Sequence, residues 1–295
     1  MKFIVFEAGS RAGFSAEMFF LAWQKQHPNN ELILADADNA YSTIPAPSHI
    51  HRVSEDDGIS MLSTDNDIII FPGDELTRQS KPLVANVAIK QPFATIFPQL
   101  YNKKYVNETL LSALGENTPI RIPKTFNCVD VFLKPNVMSA GSKGLMRQSN
   151  VCVSEYIHIK KEYVADILEN DGTLQIFVRE VTLRSGYDKM VKLLPQNHPI
   201  AMAISDFLIQ IYATNILVPL FQGIFHIQIA EDENHQLYYI EASRRISGTS
   251  IVNIFRGFNP FSHILGERGS MYVNRFEYNT WYRYEDFLVE LKKVI

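Results

Sequence analysis

Only two cysteines, Cys128 and Cys152, occur among the 295 residues. That is too few for a disulfide framework, and they lack the paired spacing of a zinc site, so a reducing cytoplasm is the expected setting. No apolar run approaches the roughly 20 residues that a membrane helix needs. The opening Met1-Lys2-Phe3-Ile4-Val5-Phe6 is interrupted by Glu7 and reads as a buried strand, not as a signal-peptide core. The excess of one charge sign is also small: the net charge of -4 sets up no field that would recruit nucleic acid. There is no internal repeat and no low-complexity segment. The turn Ala8-Gly9-Ser10-Arg11-Ala12-Gly13 lacks a complete dinucleotide-binding glycine pattern, so a plain tight turn into a helix is the stronger reading.

What is present is an ordinary globular composition, 46% hydrophobic and 20% charged, in a chain long enough for two or three packed subdomains. Residues 1–97 alternate strand-like and helix-like runs, the pattern of a parallel sheet with crossover helices. Strands are expected at 3–7, 32–35 and 67–71, and a helix over 15–26, where Met18, Phe19, Leu21 and Ala22 recur at helical spacing. A helix is expected over 105–114, stopping at Gly115. Strands at 120–126, 129–135 and 151–157 then surround a loop of small residues, Met138-Ser139-Ala140-Gly141-Ser142-Lys143-Gly144. Further strands follow from Glu162, with helices expected near 201–212 and 284–293.

The most informative segments are 223–230 and 239–248. Side chains alternate across a strand, so His226 and Gln228 share one face while Phe225, Ile227 and Ile229 share the other. With the polar run Asp232-Glu233-Asn234-His235-Gln236 as the turn, a hairpin brings Gln228 close to Glu241, since opposed residues lie about 5 Å apart at Cβ. Two oxygen donors then converge, which suits a hard cation such as magnesium that takes few protein ligands and keeps water and phosphate oxygens. A surface hairpin with one solvated face is the plain alternative. Upstream, Lys134 precedes the small-residue loop, whose backbone N–H groups can approach a phosphate chain.

Taken together, the order of these elements resembles the ATP-grasp superfamily, and the late hairpin its carbamoyl-phosphate-synthetase-like carboxylate–amine ligase branch. The resemblance runs through Ile69-Ile70-Phe71-Pro72-Gly73-Asp74-Glu75, a lysine opening a helix, Lys134-Pro135, the small-residue loop, Val153-Ser154-Glu155-Tyr156-Ile157-His158, Glu162 and the hairpin. It implies an α/β chain with an open α/β domain over 1–97, a linker helix and small lid subdomain over 98–157, and a larger α+β subdomain over 158–295 carrying metal and substrate sites.

The resemblance also assigns roles. Lys104, with Lys103 as a near rival, and Lys134 match the lysines on the ATP phosphates. Ser139, Gly141, Ser142 and Gly144 fall in the phosphate-covering loop. Glu155, Ile157 and His158 match the adenine hinge, and Glu162 the acid on the ribose. Gln228, Glu241 and Ser243 match the ligands of one or two magnesium ions, and Arg245 the arginine beside the transferred phosphoryl group. Arg179 and Arg184 follow the Asp171-Gly172 turn in the region facing the acid substrate, where a guanidinium can hold a carboxylate bidentately; surface charge is the alternative.

Serine at 243 is shorter than the usual asparagine, and few residues are available for lid helices, so the lid is expected to be truncated and completed by the substrate or by a second copy of the chain. The implied activity is ATP-dependent activation of a carboxylate as an acyl phosphate, with release of ADP, followed by transfer to an amine or similar nucleophile. Carbamoyl-phosphate-type phosphorylation and a nucleotide-binding module without turnover are the alternatives. The expected partners are small-molecule carboxylates and amines, with no nucleic acid and no membrane.

Overall fold

The structure is a computed structural model that describes residues 2–9, 11–38, 42–43, 45–46, 48–64, 68–71, 102–125, 129–133, 146–151, 154–170, 172–184, 188–265, 280–284 and 287–291. Strands β1 (Lys2–Phe6), β2 (Glu31–Asp36), β3 (Ile50–Ser54) and β4 (Ile68–Phe71) form a parallel sheet in the order β3-β2-β1-β4. Helices cover both of its faces, which is why Phe3, Ile4, Leu32 and Leu34 are all buried without alternation. Helix α1 (Arg11–Gln24) buries Ala16, Phe19, Phe20 and Trp23 on one side. Helix α2 (Glu55–Thr64) sets Leu62 against Ile4, Phe6 and Ile33 on the other.

Helix α3 (Lys103–Leu114) leads to two lone bridges, Arg121 with Tyr238 and Thr125 with Ser154. Next come the antiparallel strands β5 (Val129–Leu133) and β6 (Met146–Val151), which among the described residues pair only with each other. The expected strands over 120–126 and 151–157 are therefore reduced to bridges among the described residues, and the second strand of this pair lies earlier in the chain.

The largest sheet has seven strands, ordered β11-β10-β7-β8-β9-β12-β13. They are β7 (Ile159–Asn170), β8 (Thr173–Arg184), β9 (Asp188–Leu193), β10 (Ile224–Asp232), β11 (Leu237–Ser243), β12 (Thr280–Tyr284) and β13 (Phe287–Leu291). The last two correct the helix expected over 284–293. The segment is rich in aromatic and β-branched residues, and a strand partner was at hand, because β12 pairs with β9 through Trp281 and Val191. Helix α4 (Pro199–Thr214) covers one face. Its Ile204, Phe207, Leu208 and Ile211 pack with Tyr163, Ala165, Ile167, Val178, Phe225, Ile227 and Ile229, and Val106 and Leu110 of α3 join the same core. Pro199 opens this helix, and His198 caps it by accepting from the Ile200 N–H.

Among the described residues, the opposite face is covered at one end only. A 3-10 turn over Ser250–Arg256 and the short helix α5 (Pro260–Ile264) seat Ile246, Ile251, Phe258 and Phe261 on Leu168, Phe177 and Ile224, and on α1 as well. Phe258 lies 5.2 Å from Phe19 and 5.4 Å from Phe177, and Phe261 lies 5.1 Å from Phe3, ring centre to ring centre. One aromatic core therefore joins the first sheet to the large one. The loop Arg256-Gly257-Phe258-Asn259-Pro260-Phe261 belongs to that core. Among the described residues no helix is long and apolar enough to cross a membrane.

Candidate functional site

The uncovered part of that face is where the chemistry-bearing residues gather. On β10 and β11, Gln228 stands directly opposite Glu241, and His226 opposite Ser243. The register shifts by one residue between Gln228 and Ile229, which pairs with Tyr239, so Ile240 is the extra residue of a β-bulge. Without the bulge the turn's register would place Gln228 opposite Ile240; the extra residue turns Glu241 to the face of Gln228. Burial falls along β10: Ile224 and His226 are enclosed, whereas Gln228 and Glu241 are half-exposed. The two oxygen donors thus lie half-exposed beside a packed wall, on the side of the sheet that is the candidate cleft.

The first residue of α3 reaches this pair. Asn102 caps the helix by accepting from the Tyr105 N–H at 3.1 Å, and the Lys103 Nζ lies 2.6 Å from the Glu241 Oε2. Lys104 Nζ lies 3.7 Å from Glu108 Oε1, one turn along the same helix. Lys103, the near rival, thus has its ammonium on Glu241 of the hairpin. A cation already stands on Glu241, and a paired amide and carboxylate are a donor set that suits a hard dication retaining water and phosphate oxygens. Among the described residues there is no group of three or more His, Cys, Asp and Glu side chains of the kind that cages a transition metal. Magnesium fits Gln228 and Glu241. Ser243, 7% exposed and opposite a buried histidine, lies deeper in the wall.

The hinge segment runs beside the start of β7. Glu155 is pinned to 121–124: Arg121 Nη2 donates to its Oε1 at 2.9 Å, the Lys124 N–H donates to its Oε2 at 3.3 Å, and its own N–H donates to the Lys124 carbonyl at 2.8 Å. Arg121 in turn exchanges backbone hydrogen bonds with Leu237 and Tyr239 of β11. Ile157 is half-buried and His158 exposed, with its Nδ1 3.4 Å from Glu233 Oε1 in the β10–β11 turn. Glu162 opposes Ala230 across β7 and β10, which sets it on the cleft face diagonal to Gln228. Glu162, Gln228 and Glu241 thus share one face of the large sheet, on the adjacent strands β7, β10 and β11, and Glu155 precedes the first of them. The sequence reading passed over Arg121 and Lys124, whose only signal was a basic residue on either side of Ile122-Pro123.

Beyond Glu241 the chain turns back over the sheet. Arg245 is half-buried; its carbonyl lies 3.2 Å from His226 Nδ1, and its Nη1 donates to the Ile246 carbonyl at 3.4 Å. Ser15 Oγ, next to the first βα turn, donates to the Gly248 carbonyl at 3.1 Å. Arg179 is fully buried, so it is not surface charge. Its Nη1 donates to Asp166 Oδ2 and its Nη2 to Ser247 Oγ at 2.6 Å, while Asn253 Nδ2 donates to the same Asp166 oxygen at 2.7 Å. This guanidinium ties the sheet to the segment that carries Arg245. Arg184 lies at the end of β8, opposite Asp188; its side chain is outside the description. Lys134, Ser139, Gly141, Ser142 and Gly144 lie outside the described residues.

The end of the hairpin carries the perturbed acids. Burial pushes the Glu231 carboxyl up, but hydrogen bonds from Tyr163 and His235 and the charge of Lys161 outweigh it and hold the group below its ordinary value. Tyr163 OH donates to Glu231 Oε2 at 2.5 Å, and burial together with that carboxylate raises the phenol. Asp232 accepts from the Asn234 and Gln236 N–H groups at 2.9 Å each, which fixes the turn and lowers its carboxyl against a smaller opposing effect of burial than the bonds together exert. These groups hold the hairpin rigid behind the Gln228–Glu241 pair.

Comparison of the sequence finds no matching protein-family model and no similar curated protein. The fold, in contrast, has clear relatives among solved structures. An N5-carboxyaminoimidazole synthetase from Staphylococcus aureus superposes with a TM-score of 0.63 at 16% identity over 95% of this chain and 81% of that one; the same enzyme has also been solved with ADP. An ATP-grasp superfamily protein from Archaeoglobus fulgidus gives 0.61 at 11% identity over 99% of each chain. An L-amino acid ligase from Bacillus licheniformis gives 0.56 at 12% identity, over 95% of this chain and 79% of that one.

Proposed function

We propose that this chain, whose fold is the ATP-grasp fold, is an ATP-dependent ligase that activates a carboxylate as an acyl phosphate and passes the acyl group to an amine. One observation carries the reading: a β-bulge turns Glu241 to face Gln228 at an open cleft, with Lys103 delivered to the same carboxylate by a capped helix. Fold relatives named as an N5-carboxyaminoimidazole synthetase, also solved with ADP, and an L-amino acid ligase support the same class.

Each residue has a task in that reaction. The hinge 155–158 offers backbone groups to adenine, and Arg121 and Lys124 fix it by holding the Glu155 carboxylate. Glu162 faces the cleft where a ribose diol would lie. Gln228 and Glu241 would hold magnesium, which would supply positive charge to the phosphates. Lys103, on Glu241, and Arg245 would supply further positive charge. A substrate carboxylate oxygen attacks the γ-phosphorus as the bond to the β,γ-bridging oxygen breaks, which gives the acyl phosphate and ADP. An amine nitrogen then attacks the acyl carbon, and inorganic phosphate departs as the nitrogen loses a proton. Such a transfer asks for positioning and charge stabilisation more than for a general base, which suits the residue types present.

A second reading, a nucleotide-binding module without turnover, is favoured by Ser243, which is short and 7% exposed where a second metal would need a reaching ligand. The two readings separate when purified protein is incubated with ATP, magnesium and a panel of carboxylates, with and without amines, while ADP and phosphate are followed. Phosphate release only in carboxylate-plus-amine mixtures establishes the ligase. ADP binding without turnover on a broad panel establishes the module.

A further inference from the structure

Lys103 sits on the carboxylate that the nucleotide's metal should take. Its Nζ is 2.6 Å from Glu241 Oε2 in a partly exposed pair, the lysine 61% and the glutamate 28% exposed at the side chain. The backbone beneath the lysine is fixed. Asn102 caps α3, and Val106 and Leu110 anchor the helix in the main core. The four-carbon stem is free to swing from a stationary Cα. The neighbouring Lys104 has its Nζ 3.7 Å from Glu108 Oε1. Opposite Glu241 stands Gln228, a neutral donor. The donor pair therefore carries one negative charge, and one ammonium cancels it.

That arithmetic has a consequence for order. With Lys103 in place, the Gln228–Glu241 pair presents no net charge to a free dication, and a dication that approaches Glu241 meets the ammonium first. A triphosphate offers the lysine another anion within reach of the same cleft, so Lys103 can leave Glu241 as metal arrives. We propose that Lys103 is a displaceable cation which occupies the metal's place on Glu241 until nucleotide phosphates draw it away, so that metal and nucleotide bind together and each weakly alone. This rests on the cleft being a nucleotide site. By linkage, whatever nucleotide does for metal affinity, metal does equally for nucleotide affinity.

The test compares wild type, Lys103→Met and Glu241→Gln for binding of Mn2+ alone, read from the free Mn2+ EPR signal, and then with ADP after allowance for the Mn2+–ADP complex in solution. Without ADP, Lys103→Met should bind Mn2+ about five- to tenfold more tightly than wild type. The range runs from loss of an exposed ion pair to relief of an ammonium about 6 Å from a dication in water. Adding ADP should tighten Mn2+ binding in wild type and far less in the variant. Glu241→Gln should weaken Mn2+ under both conditions, and the melting temperature of Lys103→Met should stay close to that of wild type. Mn2+ affinities of wild type and Lys103→Met within twofold of one another in the absence of ADP overturn the proposal. Failure of wild type to bind ADP at all removes the nucleotide site, and the Mn2+-only comparison still decides whether Lys103 competes with metal.

Discussion

Replacing Arg179 with methionine tests whether this guanidinium is a strut or a substrate ligand. In the structure it is 0% exposed, Asp166 is 1% exposed, and the pair is joined by Ser247 and Asn253. Methionine fills most of the volume but leaves the Asp166 carboxylate buried with the Asn253 amide as its remaining donor in this network. Removing one partner of a buried ion pair costs about 3–5 kcal/mol, because the survivor loses its countercharge without regaining water. A chain of this size loses about 2–4 °C of melting temperature per kcal/mol, so Arg179→Met should melt about 10 °C below wild type. Because the network ties the sheet to the segment after Arg245, turnover should fall together with stability. The double variant Arg179→Met, Asp166→Leu should recover much of the loss, since an apolar pair leaves no uncompensated charge. Thermal and urea unfolding of the four proteins, run as a cycle, reads these values. A cost below about 1 kcal/mol, the range of an exposed arginine, combined with a raised KM for the acid alone, would refute the strut and return Arg179 to the role of carboxylate ligand.

Three further outcomes follow from particular contacts. Glu231 has its carboxyl held below an ordinary value of 4.5, so its contribution to stability is complete above that value and is lost as pH falls through the lower folded-state value. The deficit of Glu231→Gln, measured by urea unfolding, should accordingly be full at pH 7 and shrink progressively as pH falls below 4.5. At Gly13, an added Cβ would lie 2.1 Å from the Ala8 carbonyl oxygen, whereas at Gly172 it meets open space at φ +80°. Gly13→Ala should cost about 3 kcal/mol or more in thermal unfolding, and Gly172→Ala only about 1 kcal/mol, the strain of a left-handed alanine. Gln228→Glu should raise the affinity for Mn2+ alone about tenfold, because a second carboxylate leaves the pair negative even with Lys103 in place; titration calorimetry without nucleotide checks it.

Elements with a strong local pattern were legible in the sequence. The apolar run Met18, Phe19, Leu21 and Ala22 marks α1 as a helix but not its buried face, since Met18 is 39% exposed and Phe19, Phe20 and Trp23 are the buried positions; the alternation of 224–230 marks β10. Helix α2 was missed for a reason that local reading cannot supply. Its first turn, Glu55-Asp56-Asp57-Gly58, reads as a loop, yet a Cβ at Gly58 would lie 2.8 Å from the Ala35 Cβ, so the glycine is there to bring the helix down onto β2. The tertiary contact outweighs the propensity cost of about 1 kcal/mol. The same holds at the other end of the chain, where β12 is a strand because β9 has a free edge for it to pair with, a fact visible only in three dimensions.

The site shows the same division more sharply. Residue types and order identified Gln228 and Glu241 as a donor pair, but their facing one another depends on Ile240 bulging out, and a bulge leaves no clear mark in an alternating sequence. The choice between Lys103 and Lys104 was equally beyond the pattern, since adjacent residues on a helix point about 100° apart and only the position of the cap says which one reaches Glu241. The structure places Asn102 at the cap, accepting from Tyr105, and so turns Lys103 towards Glu241 and Lys104 along the helix to Glu108. A capping change is therefore a functional change here. Asn102→Ala should cost about 1 kcal/mol of stability, fraying the turn that aims Lys103, and should weaken ADP binding in the presence of Mn2+ more than Lys104→Met does. Equal effects of the two substitutions on nucleotide affinity would show that the cap does not aim the lysine.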